Sequence, residues 1–120
     1  MANAFSSLDG TYSNVTFLLQ SGSCTGFNPQ FTGTITVTGH SSDAATAIVR
    51  IVEAITREYR GLIRNGTFEG TGNGAFPSGR TWIGQFAAFL SGGSARNARE
   101  VLNMSASATS PACTATYAQQ

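Results

Sequence analysis

The residues able to do acid–base or nucleophilic work are few, and their spacing decides what they can do. The single histidine, His40, lies in GHSSD beside Ser41, Ser42 and Asp43. Short hydroxyl and carboxylate side chains of that kind bond to nearby backbone, so they read as turn and cap residues. No nucleophile or acid stands at a spacing that would couple it to His40, and the chain contains no GxSxG, HExxH or phosphate-loop motif. TGNG at 71–74 lacks the lysine and the strand-to-helix context of a phosphate loop. Cys24 and Cys113 have no CxxC spacing, and one histidine cannot complete a zinc set. The expectation is a non-catalytic protein with no cofactor and no metal site.

Two constellations point to binding instead. Tyr12, Phe31, Ile35, Tyr59, Ile63, Phe68, Trp82 and Phe86 all fall on strand faces that turn inward if the chain forms a barrel. Inward residues of a small barrel either fill it or line a pocket for a small apolar ligand. Trp82, Phe86, Tyr59 and Glu100 are the candidate ligand-binding residues. If the SGGS turn at 91–94 is a three-residue loop with Ser91 opposite Ala95, then Phe86 faces Glu100 and Trp82 faces Met104. An inward carboxylate among aromatic rings is costly unless paired, so it would mark a site or an internal salt bridge. If 95–104 is a helix, Glu100 is solvated. The second constellation is an arginine-bearing face of Arg57, Arg60 and Arg64, with Arg96 and Arg99, and with Leu62 among them. Arginine suits carboxylate and protein contacts, so Arg60, Leu62 and Arg64 are the candidate surface for a protein partner.

The elements that must position these residues are organised around 59–74. Asn65-Gly66 is a strong two-residue hairpin signal, because both residues tolerate positive φ. With those two as the loop, Arg64 faces Thr67, Ile63 faces Phe68, Leu62 faces Glu69, Gly61 faces Gly70, Arg60 faces Thr71 and Tyr59 faces Gly72. One face then carries Tyr59, Gly61, Ile63, Phe68, Gly70 and Gly72, and the other is mostly polar, the pattern of a half-buried antiparallel sheet. Glycines on the inner face imply curvature or close packing against bulky neighbours such as Tyr59. A rival reading draws 42–64 as a helix, since Ile48, Ile51, Val52, Ile55, Tyr59 and Leu62 recur at helical steps, and a second helix near 94–104.

Elsewhere alternation favours strands at 10–20, 31–39, 44–52, 55–64, 80–90 and 113–117. In the first, Tyr12, Asn14 and Thr16 share a face. In the second, Phe31, Gly33, Ile35 and Val37 do. In 80–90, Trp82, Gly84, Phe86, Ala88 and Leu90 face one way, and the opposite face carries Ile83, Ala87 and Phe89. That second apolar side admits another function, a self-assembling structural subunit of shell or coat type. Residues 1–9 read as a flexible lead-in and 10–120 as one domain. The fold expected is an all-β, up-and-down antiparallel meander closing into a small barrel or half-barrel, with α+β as the alternative.

Composition narrows the function classes. With 120 residues, the chain can bury a core without a metal. Charged residues are only 11% of the chain, and 14 glycines suit a turn-rich β protein. A pI of 7.8 disfavours nucleic acid as a partner. Arginine occurs without lysine, as GC-rich bacterial coding produces. No stretch approaches the ~20 apolar residues of a membrane helix. An even cysteine count in an extended, turn-rich chain favours one disulfide and an oxidising compartment, with two free buried thiols as the alternative. No signal peptide is present, and Met1-Ala2 reads as an added start on a mature secreted or periplasmic chain.

YRGLIRNGTFEGTG, RTWIGQF, REVLNMSAS and CTATY together resemble the small secreted or lipoprotein β-meander domains of proteobacteria that have no assigned function. The resemblance covers roughly residues 10–118. It implies an eight-stranded-like barrel and a Cys24–Cys113 bond, and it implies no activity. The Ala-, Arg- and Ile-rich stretches 44–57 and 95–99 depart from that pattern.

Overall fold

The structure is a computed structural model, and it describes residues 7–41 and 45–120. Eight strands follow one another: β1 (Gly10–Gly22), β2 (Gln30–Thr38), β3 (Thr46–Val52), β4 (Arg57–Arg64), β5 (Thr67–Ala75), β6 (Thr81–Ser91), β7 (Ser94–Met104) and β8 (Cys113–Gln119). Each pairs antiparallel with the next, and β1 pairs with β8, so the sheet closes into an up-and-down barrel. The lead-in at 1–6 and the part of the expected turn at 42–44 lie outside the described residues.

The central hairpin has the expected register, from Arg64 opposite Thr67 to Arg60 opposite Thr71. Asn65 and Gly66 have φ of 52° and 80°, which is the backbone this turn requires. The inner glycines have the expected use. A Cβ at Gly84 would stand 2.7 Å from the Tyr59 hydroxyl, so the bare backbone there makes room for that ring.

Among the described residues, no helix forms in 42–64 or at 94–104. In β3, burial alternates strictly through Ala47, Val49 and Ile51, and β-branched residues of this density pack better on a pleated surface than on a helix. In β7, Ala95 and Ala98 are both buried, and that three-residue step imitates a helical period. Its cause is a bulge: the β6–β7 register shifts between Ala87 and Phe89, and Asn97 takes a φ of 54°. The same device corrects the reading of the first strand. Asn14, at φ 57°, lies in a bulge after Tyr12, so the inward set is Tyr12, Val15 and Phe17.

The barrel interior is apolar through most of its depth, with Phe17, Ile35, Val49, Ile51, Phe68 and Phe86 among its most buried side chains. Outward positions carry Arg50, Arg60, Arg64, Glu69 and Arg99, where a membrane barrel shows an apolar band. Among the described residues, no helix is long and apolar enough to cross a membrane. Cys24 and Cys113 form a disulfide, with 5.0 Å between their Cα atoms. The bond fastens the β1–β2 loop to the start of β8, at one end of the seam where the sheet closes. It points to an oxidising, extracytoplasmic environment.

Candidate functional site

The strands direct two charged side chains into the barrel. Arg57 opens β4, and alternation from Tyr59 and Ile63 turns it inward, where it is 3% exposed. Glu100, on β7, is completely buried. Arg57 clasps Glu100 with two parallel bonds, Nε to Oε2 at 2.6 Å and Nη2 to Oε1 at 2.8 Å. This fork geometry is arginine's strongest way of holding a carboxylate. The Tyr59 hydroxyl also donates to Glu100 Oε2. Arg57 Nη1 donates to Glu53 Oε1 at 2.5 Å and to the carbonyl of Ile55 at 2.9 Å, so the β3–β4 turn is anchored to the same cation. The guanidinium lies against Phe31, 5.3 Å from its ring centroid.

Burial by itself would lower the pKa of Arg57, but the hydrogen bond and charge of Glu100, and then those of Glu53, outweigh it and push the pKa up. The Tyr59 hydroxyl is pushed well above its ordinary range, first by burial and then by the charge of Glu100. Tyr117 moves up as well, mainly through burial. The guanidinium therefore stays charged and Tyr59 stays a donor. Among the described residues, every buried side-chain nitrogen and oxygen has a hydrogen-bond partner.

Above this network the barrel opens into a cleft of about 290 Å³. Its walls come from the β1–β2 loop (Phe27, Asn28), the β3–β4 turn (Glu53, Ile55), the β5–β6 loop (Phe76, Ser78) and the strand ends that supply Phe31, Leu102, Met104 and Tyr117. Arg80 stands on the wall too, with Nε on the carbonyl of Ser105 at 2.7 Å and Nη2 on that of Pro111 at 2.6 Å. Tyr117 fixes the loop opposite by donating to the carbonyl of Asn28 at 2.7 Å.

The four residues singled out from the sequence do come together. Phe86 pairs with Glu100 and Trp82 with Met104 in the sheet. The Tyr59 ring packs 5.6 Å from Phe86 and 5.8 Å from Trp82. However, none of Tyr59, Trp82, Phe86 and Glu100 lines the cleft; they form the packed interior beneath it. The route to that pairing also differs from the one expected. The β6–β7 turn has two residues, Gly92 and Gly93, with Ser91 opposite Ser94, and the Asn97 bulge then restores the offset that a three-residue loop would have produced.

Arg57 is the main correction. It does not stand on an outer arginine face with Arg60 and Arg64. In a strand, residues three and seven positions apart point to opposite sides, so 57 cannot share a face with 60 and 64. The same rule, applied from Tyr59, would have found it. Arg60, Leu62 and Arg64 do share the outer face of β4, where Arg60 and Arg50 both bridge to Glu58. Glu53, Phe27 and Phe76 were missed because they sit in loops, where no period marks them.

His40 lies near the other end of the barrel: its Nδ1 accepts from the Leu8 amide at 2.8 Å, and its own amide donates to Asp9. Among the described residues, no three His, Cys, Asp or Glu side chains gather as a metal-ligand set. Comparisons with protein families, with curated proteins and with solved structures found no match to this chain.

Proposed function

We propose that this protein is a non-catalytic binding module, of a secreted or periplasmic bacterial type, whose barrel mouth takes a small and largely apolar ligand. The observation that carries the reading is the cleft itself. It is concave, walled by aromatic and aliphatic side chains from three loops and several strand ends, and floored by a fixed polar group, the usual makeup of a small-molecule site. Its volume is that of about ten water molecules at roughly 30 Å³ each, room for a small organic ligand. The carboxylate and guanidinium beneath it are held by one another, so they supply position and polarity to the floor.

The assembling-subunit reading has less behind it. On the outer side of β6, Ile83 is 65% exposed, but its cross-strand neighbours are Asn73 and Asn103. Phe89, 37% exposed, lies against Gly66 of the neighbouring turn. These positions make no continuous apolar strip.

The test is a titration with 3-phenylpropan-1-ol followed by NMR. Saturable shifts at Phe27, Phe31, Phe76 and Met104, with the outer face of β5 and β6 unchanged, are the expected result. Shifts that fail to saturate, or that map to the outer wall, would remove the cleft from consideration.

A further inference from the structure

We infer that the ligand of the mouth cleft is an organic cation, an ammonium or amidinium group on a compact aromatic or aliphatic body. This rests on the reading of the cleft as a ligand site and adds the sign of the charge it selects.

The first observation is a charge count. The mouth holds two carboxylates, Glu53 and Glu100, and two guanidiniums, Arg57 and Arg80, so the count is even and the placement of each group decides what it can still bind. Arg57 and Glu100 form a complete bidentate pair, and both are shut away from solvent. The carboxylate that faces the cleft is Glu53, whose side chain is 18% exposed and stands on its wall. Its Oε1 accepts from Arg57 and its Oε2 from the amide of Ala54. A carboxylate has about four lone-pair sites, so each oxygen can accept again, and both are already fixed in place.

The second observation is the wall around that carboxylate. Phe27, Phe76 and Tyr117 line the cleft along with Phe31. Aromatic faces attract cations, more strongly where water is excluded. The site already shows this chemistry in its own side chains, since the Arg57 guanidinium rests on Phe31. Arg80 is the feature that would favour an anion, but its hydrogen bonds run the other way. Nε and Nη2 are engaged by Ser105 and Pro111, and Nη2 also reaches the Cys113 sulfur, so the guanidinium braces the β7–β8 loop and the disulfide.

Three probes of nearly equal shape separate the possibilities: 3-phenylpropylammonium, 3-phenylpropan-1-ol and 3-phenylpropanoate, each titrated by calorimetry. The ammonium should bind at least about tenfold tighter than the alcohol, the scale of one partly desolvated cation contact. Raising the ionic strength should weaken the ammonium and leave the alcohol unchanged. The E53Q variant should narrow the gap between the ammonium and the alcohol to less than about twofold. Equal affinity for ammonium and alcohol would overturn the cation inference and leave the cleft standing as an apolar site. Tightest binding of the propanoate would overturn it in favour of an anion at Arg80. Binding of none of the three would overturn the ligand-site reading together with the inference. The salt series uses the unaltered protein, so it decides the matter even if E53Q folds poorly.

Discussion

At one end of the barrel, β4 passes to β5 through Asn65-Gly66 and β6 to β7 through Gly92-Gly93, each a two-residue turn, while 39–45 join β2 to β3. Leu8 packs against the core there, its amide on His40 and its carbonyl taking the Tyr12 hydroxyl. At the other end, β1 and β2 are joined by 23–29, β5 and β6 by 76–80, and β7 and β8 by 105–112. That end holds the disulfide, the buried ion pair and the cleft. The two short turns let the sheet close tightly on itself, and the inward residues at this end are Val37, Ile63, Phe68 and Leu90, which need no polar partner. Long connections give up that economy and gain side chains that reach over the barrel axis. The contrast shows how a uniform wall of alternating strands can carry a local site: the pattern continues to the mouth, but there the inward positions are Arg57 and Glu100.

Removing the disulfide is the largest expected blow to this contrast. The bond spans 89 residues, and closing so long a loop stabilises the fold by about 4–5 kcal/mol in the chain-entropy account. A C24S/C113S variant should lose most of that in urea unfolding. It should also lose it unevenly. The Ser23 amide, bonded to Thr114, should gain hydrogen exchange beyond the global change, while the Leu90 amide, bonded to Gly66 at the closed end, should follow the global change alone. Equal acceleration at both amides would mean the two ends open as one unit.

The next test breaks the mouth's charge network. R57M leaves Glu100 buried without its cation, and stranding a buried charge in this way costs about 3–5 kcal/mol. A triple variant R57M/E100M/Y59F, which removes both charges and the hydroxyl that would be orphaned, should recover most of the loss. Urea midpoints at neutral pH measure both. A loss below about 1 kcal/mol for R57M would mean water reaches Glu100 readily, as at an exposed pair.

The division between the ends also explains what could be read in the sequence. The wall was legible because side-chain direction in a strand follows a period of two, and Asn65-Gly66 fixed a register from which Ile63, Phe68 and Tyr59 followed. Strand 80–90 was equally clear, since Trp82, Gly84, Phe86, Ala88 and Leu90 keep the period throughout. The bulges at Asn14 and Asn97 were not legible, because one extra residue reverses the phase and leaves only an asparagine to mark it. In β7 that reversal turned a strand into an apparent helix. The pairing of Phe86 with Glu100 was reached from a loop one residue too long, which the bulge offset. At the mouth, Arg57 was accessible by parity from Tyr59. The cleft walls at Phe27, Glu53 and Phe76 were not accessible, because loop positions acquire neighbours only when the barrel closes.

The smallest expected effect tests whether the mouth interior is dry. A tyrosine in the unfolded chain ionises near pH 10. In the fold, Tyr59 is held above that, by burial first and by the charge of Glu100 second. A group whose folded pKa is raised contributes its full stability below the unfolded value and loses it as pH rises, because above about pH 10 the unfolded chain releases a proton that the folded chain keeps. The loss is about 1.4 kcal/mol per pH unit for each such tyrosine. Tyr12 and Tyr117 shift in the same direction, both mainly through burial, so all three tyrosines of the chain steepen the alkaline limb. Y59F removes one of them and should flatten the limb by that single slope, while changing nothing in its shape below about pH 9, where neither state has released the proton. Identical limbs for Y59F and the parent would mean Tyr59 ionises normally within the fold. Water would then reach the Glu100 carboxylate, and the floor of the mouth would be wet where the closed end is dry.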